Sequence, residues 1–192
     1  LLHDAERDRE AFAQLFARFD VKVTMIQRSP RVLRAFDADA AGVIATVLHR
    51  DGVKLFTDTK LLDAWRAGSG KGVTFEHAGK KLRVQAEEIL LALGRSPNTA
   101  GLGLEHADVE LDQGRIVTNR YMRTTAPHIF AAGDCTGPHE IVHVAIQQAE
   151  IAAQNLARPR QKRAMDSRLL TNVVFTEPQV ATVGLTEKVA NA

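Results

Sequence analysis

A chain of 192 residues has room for one full domain or parts of two, and 45% apolar residues are enough for an ordinary buried core. Its 25 Lys and Arg against 23 Asp and Glu leave a formal charge of +2, and no run of basic residues interleaved with aromatics argues for nucleic acid. The single cysteine, Cys135, excludes an intrachain disulfide framework and a cysteine-rich metal site; short apolar runs and a charged start argue against a membrane span or signal peptide, so the expectation is a cytoplasmic, soluble protein.

Taken in chain order, residues 5–19 place Phe12, Leu15, Phe16 and Phe19 at helical spacing, giving one apolar face. The β-branched, alternating "VKVTMI" at 21–26 predicts a strand. After the "RSP" break, Asp37 is placed to cap a helix running to about Arg50, and "DGVKLF" predicts a second strand. This alternation points to an α/β domain.

From Lys60 to Leu93 the pattern changes to short strands with turns at "AGSGKG" and "HAGK", an antiparallel meander. It leads into "EILLAL", whose continuous apolar run predicts a strand buried on both faces. Beyond the "GRSPNTAGLG" linker come "RIVTN", a strand at "HIFAA", a helix over about 140–157, the polar stretch "ARPRQKRAMDS", and two strands within "LLTNVVFTEPQVATVG".

The stretch "GDCTGPHEIVH" admits two chemistries. Its second half has the His-Glu-x-x-His pattern of zinc hydrolases, with His139 and His143 as ligands one helical turn apart and Glu140 as general base. No histidine follows His143 to supply a third ligand, and two histidines near a helix start also serve as caps and solvated groups, so no metal site is assigned. Its first half follows an apolar strand. By itself the Gly133-Asp134 pair there is an ordinary turn, followed by a helix that presents its positive N-terminus.

Taken whole, "TTAPHIFAAGDCTG" resembles the second FAD fingerprint of the class I pyridine nucleotide-disulfide oxidoreductases, in particular mercuric reductases and dihydrolipoyl dehydrogenases, which implies that Gly133 lets backbone approach the cofactor and Asp134 accepts a hydrogen bond from a ribityl hydroxyl. Three further segments are similar to that family in order and spacing. "LLALGRSPNT" resembles the junction from the nicotinamide domain back to the FAD domain, with Gly94 as hinge and Arg95 and Asn98 fixing the crossing. "NVVFTEPQVATVGLTE" resembles the opening of the interface domain, and "FARFDVKVTMIQRSPRVLRAFD" a helix, strand and loop of the nicotinamide domain.

The resemblance implies a partial nicotinamide-binding Rossmann-like domain over 1–94, the C-terminal part of an FAD domain over 95–165, and the start of an α+β dimerisation domain over 166–192. It implies FAD, with NADPH or NADH as hydride donor, a small-molecule substrate and a homodimer through residues 170–185. The cofactor-binding residues it implies are Gly133, Asp134, Gly94 and His143, together with Gln27, Arg28 and Arg34 on the nucleotide. Because the strand ends in Gln27 and Arg28 where an NAD-binding strand carries an acid, with Arg31 and Arg34 close behind, the lean is toward NADPH.

The chain also departs from the family. Its Gly-x-Gly-x-x-Gly turn belongs just before "FAQLFARF", where this sequence has "LLHDAERDREA", and a family glutamate falls at Ala11, with Glu10 one position off. The redox cysteine pair and distal His-Glu pair have no counterpart, Gln148 and Ala149 replace a Glu and a Gly, and no catalytic residue is assigned. The expectation is a fragment truncated at both ends and inactive alone, the alternative an inactive remnant or interaction module.

Overall fold

The computed structural model describes residues 5–137 and 139–191. The chain divides into two compact units, one of residues 1–94 with 173–192 and one of residues 95–172.

In the first unit, helix α1 (Ala5–Arg18) leads into strand β1 (Thr24–Ile26), helix α2 (Ala38–Arg50) and strand β2 (Lys54–Phe56). The two strands are parallel, with Met25 opposite Leu55, so α2 is the crossover of a β-α-β unit. Helix α2 lays Ala41, Ile44, Val47 and Leu48 inward. Ile44 and Leu48 join Met25, Val32, Leu33, Phe36 and Val53 in the core. Asp37 stands at the N-cap position, yet its side chain makes no cap bond. It accepts instead from the backbone N–H of Glu187 at 3.0 Å.

Helix α1 turns the less apolar of its faces inward. Glu10, Ala13 and Gln14 are buried, whereas Phe19 is 71% exposed and Phe12, Leu15 and Phe16 are also exposed. The spacing 10, 13, 14, 17 is itself a helical face, and polar anchoring selects it. The Gln14 amide donates to Asp51 Oδ2 and to the Glu177 carbonyl, both at 2.9 Å, and its oxygen accepts from the Glu177 N–H at 2.7 Å. Glu177 thereby ties the last segment to α1, and Val174 and Val180 from that segment complete the same core.

Asp51 is the electrostatic centre of this anchor. The Gln14 amide, followed by the Arg18 and Arg50 guanidinium groups, holds its carboxyl below the usual carboxylate value of 3.8, against the opposing effect of burial. A carboxylate whose folded pKa is depressed contributes stability that is present above the unfolded pKa and lost as pH falls through the folded one. Stability should therefore fall as pH drops below about 4, and Asp51→Asn should flatten that acid limb in a series of urea titrations; an unchanged limb would remove Asp51 from the anchor.

Strands β3 (Thr59–Ala67), β4 (Gly70–His77) and β5 (Lys80–Ala86) form an antiparallel meander in that order. The turns fall at the glycine-bearing segments expected for them. Phe75 in the central strand is fully buried, with its ring edge-on to Phe56 of β2 at 5.2 Å. Trp65 of β3 lies over its cross-strand partner Gly72, where a Cβ would overlap the indole, and Arg83 covers the ring at 5.0 Å.

The strand expected at "EILLAL" does not form: residues 87–94 carry no strand, and Leu90, Leu91 and Leu93 are exposed, Leu91 at 74%. Among the described residues the parallel sheet consists of β1 and β2. An apolar run becomes a buried strand only where a neighbouring strand takes its backbone N–H and C=O groups.

In the second unit, β6 (Leu111–Asp112) pairs antiparallel with β7 (Arg115–Ile116), and helix α3 spans Val142–Ala157. The strand expected at "HIFAA" reduces to a single antiparallel bridge between Arg123 and Phe130. Helix α3 buries Val144, Gln148, Ile151 and Asn155. Strands β8 (Thr171–Val174) and β9 (Val180–Val183) pair with each other, and the short helix α4 (Glu187–Ala190) follows; from residue 173 onward this segment belongs to the first unit. Among the described residues no helix is long and apolar enough to cross a membrane.

Candidate functional site

Gly133 and Asp134 open a short 3-10 turn, Asp134–Thr136, between the Arg123–Phe130 bridge and α3. Gly133 has φ 86° and ψ −162°, a conformation open to glycine and strained for other residues. Its buried N–H donates to Gln148 Oε1 at 2.7 Å, and the Thr136 hydroxyl donates to the Gly133 carbonyl at 2.8 Å. Gln148 thus reaches back from α3 to fix the backbone of the turn. The sequence offered no local signal for this, since the partners lie fifteen residues apart.

The Asp134 side chain is 54% exposed, and the Arg95 guanidinium donates to its Oδ2 at 3.4 Å. Arg95, read from sequence as fixing a crossing, therefore also orients the carboxylate. The first turn of α3 carries no acidic residue and its N-cap, Ile141, contributes no side-chain bond, leaving the positive end of that helix uncapped by side chains. A left-handed Gly137 (φ 43°) follows the turn, and a Cβ there would lie 2.5 Å from the Arg115 Cδ. Arg115 in turn donates to Glu140 at 3.4 Å, a bond in which Glu140 is 7% exposed.

The zinc arrangement does not form among the described residues. Helix α3 begins at Val142, so His139 and Glu140 precede it, and the two histidines do not share one helical face. Glu140 is committed to Arg115, and one ring nitrogen of His143 lies 2.9 Å from the Thr171 carbonyl. Among the described residues no group of three or more His, Cys, Asp or Glu side chains is placed to hold a metal ion. Cys135 is half-buried, its Sγ 3.4 Å from the Ala132 carbonyl, and burial pushes its thiol up, away from the reactive thiolate.

The other sequence-derived residues lie apart from this turn. Gln27, at the end of β1, is buried and donates to the Arg31 carbonyl at 2.7 Å, while its own Oε1 is buried with no hydrogen-bond partner. Arg28 and Arg34 are exposed in the loop that follows, and Arg31 folds back to donate to the Arg34 carbonyl at 3.0 Å. Gly94 has φ 128° at the end of the first unit. The expected glycine turn before "FAQLFARF" is replaced by continuous helix from Ala5 onward, and residues 1–4 lie outside the described part. Glu10 is fully buried, with Arg9 donating to its Oε1 at 3.3 Å.

The residues around Gly133 and Asp134 fit a flavin: an oriented, exposed carboxylate accepts hydroxyls, a glycine backbone permits close approach, and an uncapped helix start favours negative charge. The loop after β1 offers cations for a nucleotide phosphate, whereas the described residues form no glycine turn to cradle a dinucleotide pyrophosphate.

Comparison with known proteins gives the family. A family model described as pyridine nucleotide-disulphide oxidoreductase matches residues 11–149. A mercuric reductase of Staphylococcus aureus is 36% identical over 92% of this chain and 32% of its own length. A dihydrolipoyl dehydrogenase of Thermus scotoductus is 37% identical over 92% of this chain and 38% of its own length. Among solved structures, LpdA from Mycobacterium tuberculosis superposes with a TM-score of 0.85 at 34% identity, covering 95% of this chain and 39% of that one. The HOCl-induced flavoprotein disulfide reductase RclA from Escherichia coli gives 0.82 at 29%, covering 94% and 41%. The chain thus spans a third to two fifths of the length of these relatives. Since the family model runs from Ala11 within α1 through the β-α-β unit, the meander and the glycine-aspartate turn, this chain belongs to the pyridine nucleotide-disulphide oxidoreductase family, whose flavoprotein members use FAD and NAD(P)H.

Proposed function

We propose that this chain provides the flavin-facing turn and the nucleotide-facing loop of an oxidoreductase that passes hydride from NAD(P)H to FAD and on to a disulfide or Hg(II) substrate. The observation that carries the proposal is the Gly133 and Asp134 turn, its backbone held by Gln148 and its carboxylate oriented by Arg95. In this reading Asp134 accepts a ribityl hydroxyl, Gly133 admits the cofactor close to backbone, and the start of α3 offsets negative charge on it. Bound flavin supplies the two-electron chemistry. Arg28 and Arg34 face the nucleotide phosphate and favour NADPH over NADH. Gln27 acts as the buried base of that loop, Gly94 serves as the hinge that ends the first unit, and His143 supports the backbone around the flavin turn.

Residues 170–185 are the proposed homodimer contact. Phe175, Val183 and Leu185 expose large apolar side chains there, while Val174 and Val180 point into the core. The setting proposed is the cytoplasm, where a lone half-buried thiol stays reduced.

The test is to place residues 11–192 into the corresponding part of the Staphylococcus aureus mercuric reductase. Retained flavin with faster oxidation of NADPH than NADH is the expected result, with the preference reduced by Arg28→Glu; a flavin-free, folded chimera would contradict the proposal. A second reading, an interaction module without cofactor, draws on the continuous helix where a glycine turn belongs, and it requires the chain to show no Asp134-dependent affinity for FAD.

A further inference from the structure

The second unit assembles a basic, aromatic cavity away from the glycine-aspartate turn. In sequence the cations are scattered, Arg120 and Arg123 on one segment and Arg158, Arg160, Lys162 and Arg163 on another. The fold brings the two segments together through buried Asn155. Its amide donates to the Tyr121 carbonyl at 3.0 Å and to the Arg163 carbonyl at 2.8 Å, and its oxygen accepts from the Arg163 N–H at 2.7 Å. The Met165 N–H adds a bond to the Arg120 carbonyl at 2.7 Å. Both walls are therefore fixed by buried or backbone bonds.

Between them lies a cavity of about 160 Å³, with Tyr121, Phe130, Leu156, Arg123, His128 and Lys162 on its lining. The Tyr121 ring is flanked by the Arg120 guanidinium at 5.2 Å and the Lys162 ammonium at 5.8 Å. Of the two carboxylates close by in sequence, Glu150 reaches Arg163 at 3.8 Å and Asp166 is engaged by Arg168 at 2.7 Å. No ion pair joins Arg120, Arg123, Arg158, Arg160 or Lys162 to a carboxylate among the described residues.

Gathering like charges on a rigid frame is unfavourable unless counter-charge is supplied. The negative C-terminal end of α3 offsets only a fraction of one unit charge. The volume limits what supplies the rest. A cavity of roughly 150 Å³ holds a single benzene-sized ring, and pockets for drug-sized ligands begin near 300 Å³.

We propose that this cavity binds a small, monocyclic aromatic anion, its ring against Tyr121, Phe130 and Leu156 and its phosphate or carboxylate toward Arg123 and Lys162. This site is separate from the flavin turn and does not depend on that assignment. The test is calorimetric titration of the 192-residue chain with phenyl phosphate, inorganic phosphate and benzylamine, with backbone amide shifts used to locate binding. The expected result is saturable phenyl phosphate binding at least ten-fold tighter than either control, shifting amides of residues 121–130 and 155–163. Arg123→Glu with Lys162→Glu should weaken it at least ten-fold. Should that pair disturb the fold, Lys162→Ala on its exposed side chain serves alone, with a weakening of at least three-fold expected. Binding that is absent, equal for inorganic phosphate, located elsewhere, or indifferent to these substitutions would overturn the proposal.

Discussion

Phe75→Ala is expected to lower the stability of the first unit by about 3–5 kcal/mol, the range for emptying a buried aromatic position. Phe75 is fully buried in the central strand of the meander, opposite Leu61 on one side and Leu82 on the other. Its ring meets Phe56 of β2, so the same side chain joins the meander to the β-α-β unit. A central strand paired along both edges has little room to close over the lost ring, which places the cost toward the upper part of the range. Urea unfolding followed through Trp65, the chain's one tryptophan, reports on this sheet directly. A loss below about 1 kcal/mol, the scale of a surface change, would mean that Phe75 is not the link between the two sheets.

The second large effect is expected at Gln148. Gln148→Leu keeps the approximate volume and removes the acceptor for the Gly133 N–H, leaving a buried donor unsatisfied at a cost of about 1–3 kcal/mol. The same change frees the turn that carries Asp134, so amide exchange at Gly133 should accelerate while the rest of α3 keeps its protection. Gln148→Glu retains an acceptor and should restore most of the protection. Equal exchange in all three proteins would show that the turn holds itself.

How much of this was legible in sequence depends on the range of the interaction. The helix, strand, helix, strand order and the meander follow from local periodicity and from turns rich in glycine, and the structure has them close to where the pattern places them. Periodicity also gives α1 an apolar face, but it cannot say which face finds a partner. Gln14, bonded to Glu177 163 residues away, decides that, and no window of local sequence contains both. The "EILLAL" run fails as a strand for a related reason, because strand identity belongs to a pair and its partner is not among the described residues.

At the site, Gly133 and Asp134 were picked out only through the likeness of the whole "TTAPHIFAAGDCTG" segment to a flavin fingerprint, since a bare glycine-aspartate pair is an ordinary turn. The roles of Gln148, Arg95 and Arg115 were not, since each acts across a loop through hydrogen bonds that the spacing does not encode. The His-Glu-x-x-His pattern shows the converse. Its letters meet a motif, while the helix starts at Val142, too late for His139 to share a helical face with His143, and Arg115 occupies the Glu140 carboxylate.

The account's central claim is that Asp134 belongs to a flavin site, and the most direct test is an equilibrium titration of FAD fluorescence with the purified chain and with its Asp134→Ala variant. A charge-assisted hydrogen bond is worth about 1.5–3 kcal/mol, so the account predicts saturable quenching by the chain and affinity weaker by about ten-fold or more in the variant. Identical titrations for two equally folded proteins would contradict it.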